Sequence, residues 1–140
     1  MTPAAALQSL GDIEERIELL KTTLGLFAPG EPAPIAGELR ELAEQILAHW
    51  LTGRGLAPAE AQPGAARLTA LVGQAAGHDP ALAAAQEPCR TILRLHGQIL
   101  HAPDDPETTA RLLALAAEAG ALHALIAPRV ALTPAKTGRG

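Results

Sequence analysis

The chain has 140 residues, a formal net charge of −4 at pH 7, one cysteine and only two aromatic side chains, Phe27 and Trp50. A chain of this length forms a single domain that buries roughly two thirds of the surface of its unfolded form, so its stability requires neither a metal nor a disulfide. The acidic balance and the scattered arginines exclude the basic stripe that binds a phosphate backbone, and the single cysteine excludes an internal disulfide.

The cysteine usage and the first residues of the sequence indicate a cytoplasmic protein. A lone cysteine suits a reducing compartment, and no basic segment followed by an apolar core precedes Asp12 and Glu14, as it would in a signal peptide. Apolar stretches such as 68–77 and 119–128 are shorter than the roughly 18 uncharged residues that a membrane span needs. We therefore expect neither a membrane nor nucleic acid as a partner.

Five helices are predicted, and each of them begins at a proline. Proline suits the first position of a helix, because its missing N–H has no acceptor there and its fixed φ is helical. Thr2, Asp79 and Asp105 precede three of these prolines and are residue types that cap helices well. The predicted helices cover residues 3–27, 34–52, 63–76, 80–102 and 106–127.

The fourth predicted helix contains an internal proline, Pro88. A proline inside a helix removes one backbone hydrogen bond and crowds the carbonyl four residues earlier. It therefore predicts a kink, which is the milder outcome, or a division of the helix into residues 80–86 and 88–102.

Apolar residues recur at steps of three and four along three of the helices, as they do in helices that pack along one face. In the first helix this stripe is Leu10, Ile13, Ile17, Leu20, Leu24 and Phe27. In the second helix it is Ile35, Leu39, Leu42, Ile46 and Trp50. In the fifth helix it is Leu112, Leu115, Ala116, Ala119, Leu122 and Ile126.

These stripes and the composition predict the fold class. Alanine and leucine make up roughly two fifths of the residues, so neighbouring helices can approach closely. We predict an all-α fold, a mostly antiparallel helical bundle of four long helices plus one shorter helix. The bundle is expected to span residues 1–132 as a single domain, followed by a flexible tail at 133–140.

Two histidines and the cysteine project toward the predicted core. On a helical wheel, Cys89 and His96 lie in the apolar arc of the fourth helix, and His123 lies in that of the fifth. In an antiparallel hairpin, Cys89 would lie about 6 Å along the axis from the level of His123, and His96 about 16 Å. Cys89 and His123 are therefore the candidate residues of a small-ligand or metal-binding bundle, with His49 as the candidate third ligand. The alternative is that these side chains are structural, since a buried imidazole needs only hydrogen-bond partners.

Acidic residues recur on the first two helices, at Glu14, Glu15, Glu18, Glu41 and Glu44. The pattern resembles the paired acids of the MazG-type all-α NTP pyrophosphatases, whose clustered carboxylates bind magnesium. The resemblance covers these two helices only, and Glu44 stands where the family usually has an aspartate. It implies a metal-dependent NTP pyrophosphatase as an alternative function. By wheel position, Glu41 and Glu44 point away from the buried arc of their helix, so these acids would not converge with those of the first helix.

The first helix has a second apolar side. Leu19 and Leu26, with Thr23 between them, lie about half a turn from its main stripe, and Leu51 on the second helix is a candidate extension. Either this helix is more buried than its neighbours, or it exposes a seam for a second copy or a partner helix. No set of residues has the geometry of an active site. We therefore predict a non-catalytic interaction protein without a cofactor, homodimeric through this apolar helix face.

Overall fold

The computed structural model describes residues 3–60 and 66–132. Within these residues there are five α-helices, one 3₁₀ segment and no strand. The helices are α1 (Pro3–Leu26), α2 (Pro32–Gly53), α3 (Ala66–His78), α4 (Gln86–His101) and α5 (Thr108–Leu132), and the 3₁₀ segment is Pro80–Ala85. The all-α class is confirmed, whereas the antiparallel arrangement stays a prediction. The predicted tail at 133–140 lies outside the described residues.

Two helices form the centre of the structure. α5 contacts α1, α2 and α4, and α2 contacts α1, α3, α4 and α5. The predicted α5 stripe is confirmed, because all six of its residues are fully buried. The predicted α2 stripe is buried except at Ile35, which is half-buried. The remaining helices surround these two and cover their apolar sides.

Both predicted capping carboxylates in the described ranges accept the expected hydrogen bond, but only Asp79 lies at the start of a helical segment, and the fifth helix begins at residue 108, not 106. The Asp79 carboxylate accepts a hydrogen bond from the Ala81 N–H (3.1 Å), and the Asp105 carboxylate accepts one from the Glu107 N–H (2.7 Å). The Asp79 cap opens the 3₁₀ segment, and α5 begins at Thr108 after the turn that Asp105 stabilises. The third predicted cap, Thr2, lies outside the described residues.

The fourth predicted helix is two segments in the structure, a 3₁₀ segment and α4, and Pro88 lies in the first turn of α4. The chain changes from the 3₁₀ segment to α4 at Gln86, so Pro88 is the third residue of α4. A backbone N–H in the first turn of a helix has no acceptor within it, and the missing donor of Pro88 therefore costs little. Of the two predicted outcomes, a kink or a division, the division is present, with its boundary between Ala85 and Gln86, shortly before the proline.

α5 extends further than its sequence predicts. The expected end at residue 127 is wrong, because α5 continues through Pro128 to Leu132. Tertiary contacts hold this last turn: Val130 is buried, and the Arg129 guanidinium lies 3.8 Å from the Asp79 carboxylate. The same carboxylate lies 3.7 Å from Arg54, which packs over the ring of Trp50 at 4.6 Å from its centroid. Asp79 thus joins the ends of α2, α3 and α5.

One described helix has the length and composition of a membrane span. Residues Thr108–Val130 of α5 form an apolar stretch of 23 residues. The central helix of a folded core has the same properties, and α5 packs against three other helices of the bundle. The expected absence of a membrane partner stays a prediction.

Candidate interaction surface

α1 exposes two large apolar side chains on the side that faces away from the core. Leu19 is 54% exposed and Leu26 is 70% exposed, one turn on either side of the exposed Thr23. The Thr23 hydroxyl donates a hydrogen bond to the Leu19 carbonyl oxygen (2.9 Å), so its polar atom is already satisfied within the helix. Covering Thr23 would therefore leave no unpaired donor.

Phe27 is exposed directly after the end of α1, which corrects its predicted place in the buried stripe. α1 ends at Leu26, the Phe27 N–H still donates to the Thr23 carbonyl, and the Phe27 side chain is 67% exposed. The signal for this outcome was present in the sequence, because Pro29 and Gly30 end the helix before a partner helix can cover the ring. We name the surface formed by Leu19, Thr23, Leu26 and Phe27 the α1 patch.

Leu51 does not extend the α1 patch. Its side chain has no exposed surface, so the expectation that it adds to an accessible apolar seam is wrong. α2 has neighbours on several sides, and a residue outside its main stripe therefore still meets other helices. The helical wheel of α2 does not show which other helices surround it, so the burial of Leu51 did not follow from the sequence pattern.

The charges near the α1 patch are satisfied within the chain or lie toward one end of α1. Arg16 forms a two-point pair with Glu38 of α2, with one guanidinium N–H donating at 2.8 Å. The hydrogen bonds from Arg16 lower the pKa of the Glu38 carboxyl. Lys21 lies 3.3 Å from Glu18. The surface is therefore apolar toward the C-terminal end of α1, whereas its exposed residues at 12, 14 and 15 are acidic.

The structure places Cys89 and His123 against different neighbours. The buried Cys89 thiol lies between α4 and α3, and burial raises its pKa to about 12, which disfavours the thiolate that binds metals. His123 is buried, and its Nε2 lies 2.8 Å from the Leu10 carbonyl oxygen, so this nitrogen donates a hydrogen bond to α1. No group of three or more metal-ligating side chains occurs in the described ranges. A metal or ligand held by this pair stays a prediction.

Glu44 is buried, although the helical wheel of α2 placed it away from the core. Its carboxylate lies 3.2 Å from the Arg40 Nε and 3.6 Å from the Arg67 guanidinium of α3. The expectation for Glu44 is wrong because α3 covers this side of α2. Glu14, Glu15 and Glu18 are exposed on α1. The resemblance to the paired acids of the pyrophosphatases therefore includes one carboxylate that two arginines of the chain already neutralise.

Two half-buried histidines predict how stability depends on pH. Burial lowers the pKa of His49 and of His96 from 6.5, and the positive charge of Arg40 lowers that of His96 further. The unfolded chain then binds more protons than the folded chain below about pH 6.5, so the free energy of unfolding falls as the pH drops through that value and is unaffected well above it. Urea unfolding between about pH 7 and pH 5 measures this slope, and His96→Gln should reduce it.

His101 supplies a matched control for that measurement. His101 is exposed and lies on α4 like the half-buried His96. His101→Gln therefore removes a histidine from the same helix but leaves the half-buried one in place. An equal slope in the parent protein and in His96→Gln would contradict the prediction.

Neither a protein-family model, nor a curated protein, nor a solved structure matches this chain. The α1 patch and the residues around it are therefore the basis for a functional proposal.

Proposed function

We propose that this chain is a non-catalytic cytoplasmic interaction protein that forms a homodimer through the α1 patch. One observation carries the proposal: Leu19 and Leu26 lie on one side of α1 and are each more than half exposed, and Phe27, directly after the helix, is more than half exposed as well. Their burial against a second copy would remove apolar surface from water, which is the main driving force of protein association.

The size of the α1 patch supports a weak, concentration-dependent dimer. The three side chains expose roughly 350 Å², taking full-exposure areas on the order of 150–200 Å² each. That area falls within the range of the largest apolar patch on a typical monomer, about 300–600 Å² and often functional. It is smaller than the roughly 800 Å² per partner of a standard interface. The patch would form the apolar centre, and the neighbouring threonines and charged residues would form the rim.

The charge distribution along α1 favours an antiparallel pairing of the two copies. If α1 paired in parallel, the exposed acids at residues 12, 14 and 15 of both copies would lie side by side. If Leu19 lies opposite Leu26 of the second copy, Glu15 lies level with residue 30, and the two Glu15 side chains are about 22 Å apart along the axis. This separation exceeds the Debye length of about 8 Å at physiological ionic strength, so the repulsion is screened. The pairing also has the two-fold symmetry of most homodimers.

Leu26→Asp is expected to convert the dimer to a monomer without unfolding it. The substitution places a charge at the centre of the apolar interface, where no partner compensates its desolvation. Because Leu26 is 70% exposed in the single chain, the fold itself should tolerate the change. Size-exclusion chromatography with light scattering over a concentration series gives the mass, and far-UV circular dichroism verifies the fold. Leu19→Asp should act in the same way.

Leu100→Asp is the matched control. Leu100 is also an exposed leucine, at 49%, but it lies on α4 and outside the α1 patch. Its replacement should leave the mass unchanged. A parent protein that remains monomeric at every concentration, or equal dissociation by Leu100→Asp, would refute the proposal.

A further inference from the structure

A groove separates α3 from α4 on a part of the surface that the α1 patch does not include. Its volume is about 330 Å³. Val72 of α3 and Cys89 and Leu93 of α4 contribute its apolar lining, and the first two of these are buried. Thr69, Gln86 and Arg90 contribute its polar lining and are exposed. The groove therefore combines an apolar floor with a polar rim.

Two small residues account for the groove. The segment Pro80–Ala85 joins α3 to α4 and packs against both helices, which also contact each other directly. Gly73 lies at the groove without a side chain, and a Cβ added there would meet nothing within 4 Å. On the facing helix, Cys89 is a short side chain. The space is thus open because neither helix offers a large residue to fill it.

The dimensions of the groove indicate what kind of molecule it accepts. Its lining residues span 69–73 on α3 and 86–93 on α4, which correspond to lengths of about 6 Å and 10 Å along the two helices. A partner helix that docks through anchors at i, i+4 and i+7 covers about 10 Å along its axis and needs a groove of at least that length on both sides. The α3 side of this groove is shorter. The volume lies at the lower end of the roughly 300–1,000 Å³ typical of small-molecule sites. The geometry therefore selects a compact molecule over a partner helix.

The charge at the rim indicates the polar end of that molecule. The Arg90 guanidinium donates a hydrogen bond to the Glu87 carboxylate (2.6 Å). Both side chains are largely exposed, Arg90 at 67% and Glu87 at 74%. Exposed pairs of this kind contribute little free energy, so a bound carboxylate can replace Glu87 as the partner of Arg90. We propose that the α3–α4 groove binds a compact, mainly apolar carboxylic acid, with its apolar body over Val72, Cys89 and Leu93 and its carboxylate at Arg90.

2-Naphthoate is a suitable probe, because it joins a flat apolar body to one carboxylate. Its titration into the isotopically labelled full chain, followed by amide chemical shifts, should give saturable changes confined to residues 69–73 and 86–93. The neutral amide of the same ring system, 2-naphthamide, should bind more weakly. No saturable change, or changes centred on Leu26 and Phe27, would overturn the proposal.

Two glycine variants on the same helix test the site itself. Gly73→Leu places a side chain in the groove, whereas Gly77→Leu, one turn further along α3, makes the same exchange outside it. Both glycines are exposed with open space around a Cβ, so both variants should fold, which the thermal midpoint verifies. Gly73→Leu should lower the affinity for 2-naphthoate at least about tenfold, which corresponds to a loss of roughly 1.4 kcal/mol of binding free energy. Equal affinities of the two variants would overturn the proposal.

Arg90→Gln tests the carboxylate separately. This variant should weaken the binding of 2-naphthoate but leave that of 2-naphthamide unchanged. If both probes bind the variant as they bind the parent protein, the assignment of the carboxylate to Arg90 is wrong. Since no residue of the α1 patch lines the groove, these outcomes are independent of whether the chain dimerises.

Discussion

Ile17→Ala is expected to lower the free energy of unfolding by about 2–5 kcal/mol, the usual cost of truncating a buried aliphatic side chain. Ile17 is 1% exposed and lies in the core cluster that α1 shares with its neighbours. The loss has two sources, the apolar surface that is no longer removed from water and the cavity that rigid neighbours leave unfilled. Urea unfolding followed by circular dichroism measures the change at constant m-value.

Glu15→Ala is the control for this prediction. Glu15 precedes Ile17 by two residues on the same helix, but its side chain is exposed and has no role in the core. The substitution should change stability by less than about 0.5 kcal/mol. Similar losses in both variants would contradict the orientation of α1, because the buried and exposed sides of the helix would then be energetically alike.

Glu44→Ala is expected to destabilise the fold by about 3 kcal/mol, near the lower end of the cost of breaking a buried ion pair. The Glu44 carboxylate lies between Arg40 and Arg67, and its side chain is 7% exposed. Removing it takes the anion from the Arg67 guanidinium and leaves Arg40 with only the more distant, exposed Glu41 at 3.9 Å. The loss of stability should stay below the upper end of the range for buried ion pairs, about 5 kcal/mol. The side chains of Arg40 and Arg67 retain 18% and 25% exposure and can turn toward water. Thermal and urea unfolding measure the effect.

Glu41→Ala separates this effect from a general loss of negative charge on α2. Glu41 lies 3.9 Å from the same Arg40, but its side chain is 62% exposed. Surface pairs contribute about 0–1 kcal/mol, so this variant should be nearly as stable as the parent protein. If Glu44→Ala were as mild as Glu41→Ala, the bridge between α2 and α3 would not contribute to stability.

Local patterns in the sequence predicted much of the fold. The stripes of Ile17 on α1 and Leu122 on α5 indicated which sides are buried, because a helix repeats every 3.6 residues whatever its neighbours are. The caps at Asp79 and Asp105 are also local, since the acceptor and the donor lie two residues apart. The second apolar side of α1, at Leu19 and Leu26, was identified in the same way, but the pattern left open whether it is buried or exposed, and the structure shows that it is exposed.

Other features depended on which helices meet. Leu51 and Glu44 both lie outside the main stripe of α2, and both are buried because α2 has neighbours on several sides. Pro128 lies inside α5 because contacts of the following turn outweigh the loss of one backbone hydrogen bond. The residues that cover these side chains lie far from them in the sequence, so a local pattern does not predict the contacts.

The amino-acid sequence by itself determined the presence of five helices, the capping roles of Asp79 and Asp105 and the main side that each long amphipathic helix buries, since these follow from interactions between residues a few positions apart. Only the tertiary structure decided the burial of Glu44 between two arginines, the exclusion of Leu51 from the α1 patch and the opening of the α3–α4 groove. The physical reason is that burial and pairing at these places depend on side chains of other helices, and a periodic pattern records one helix at a time.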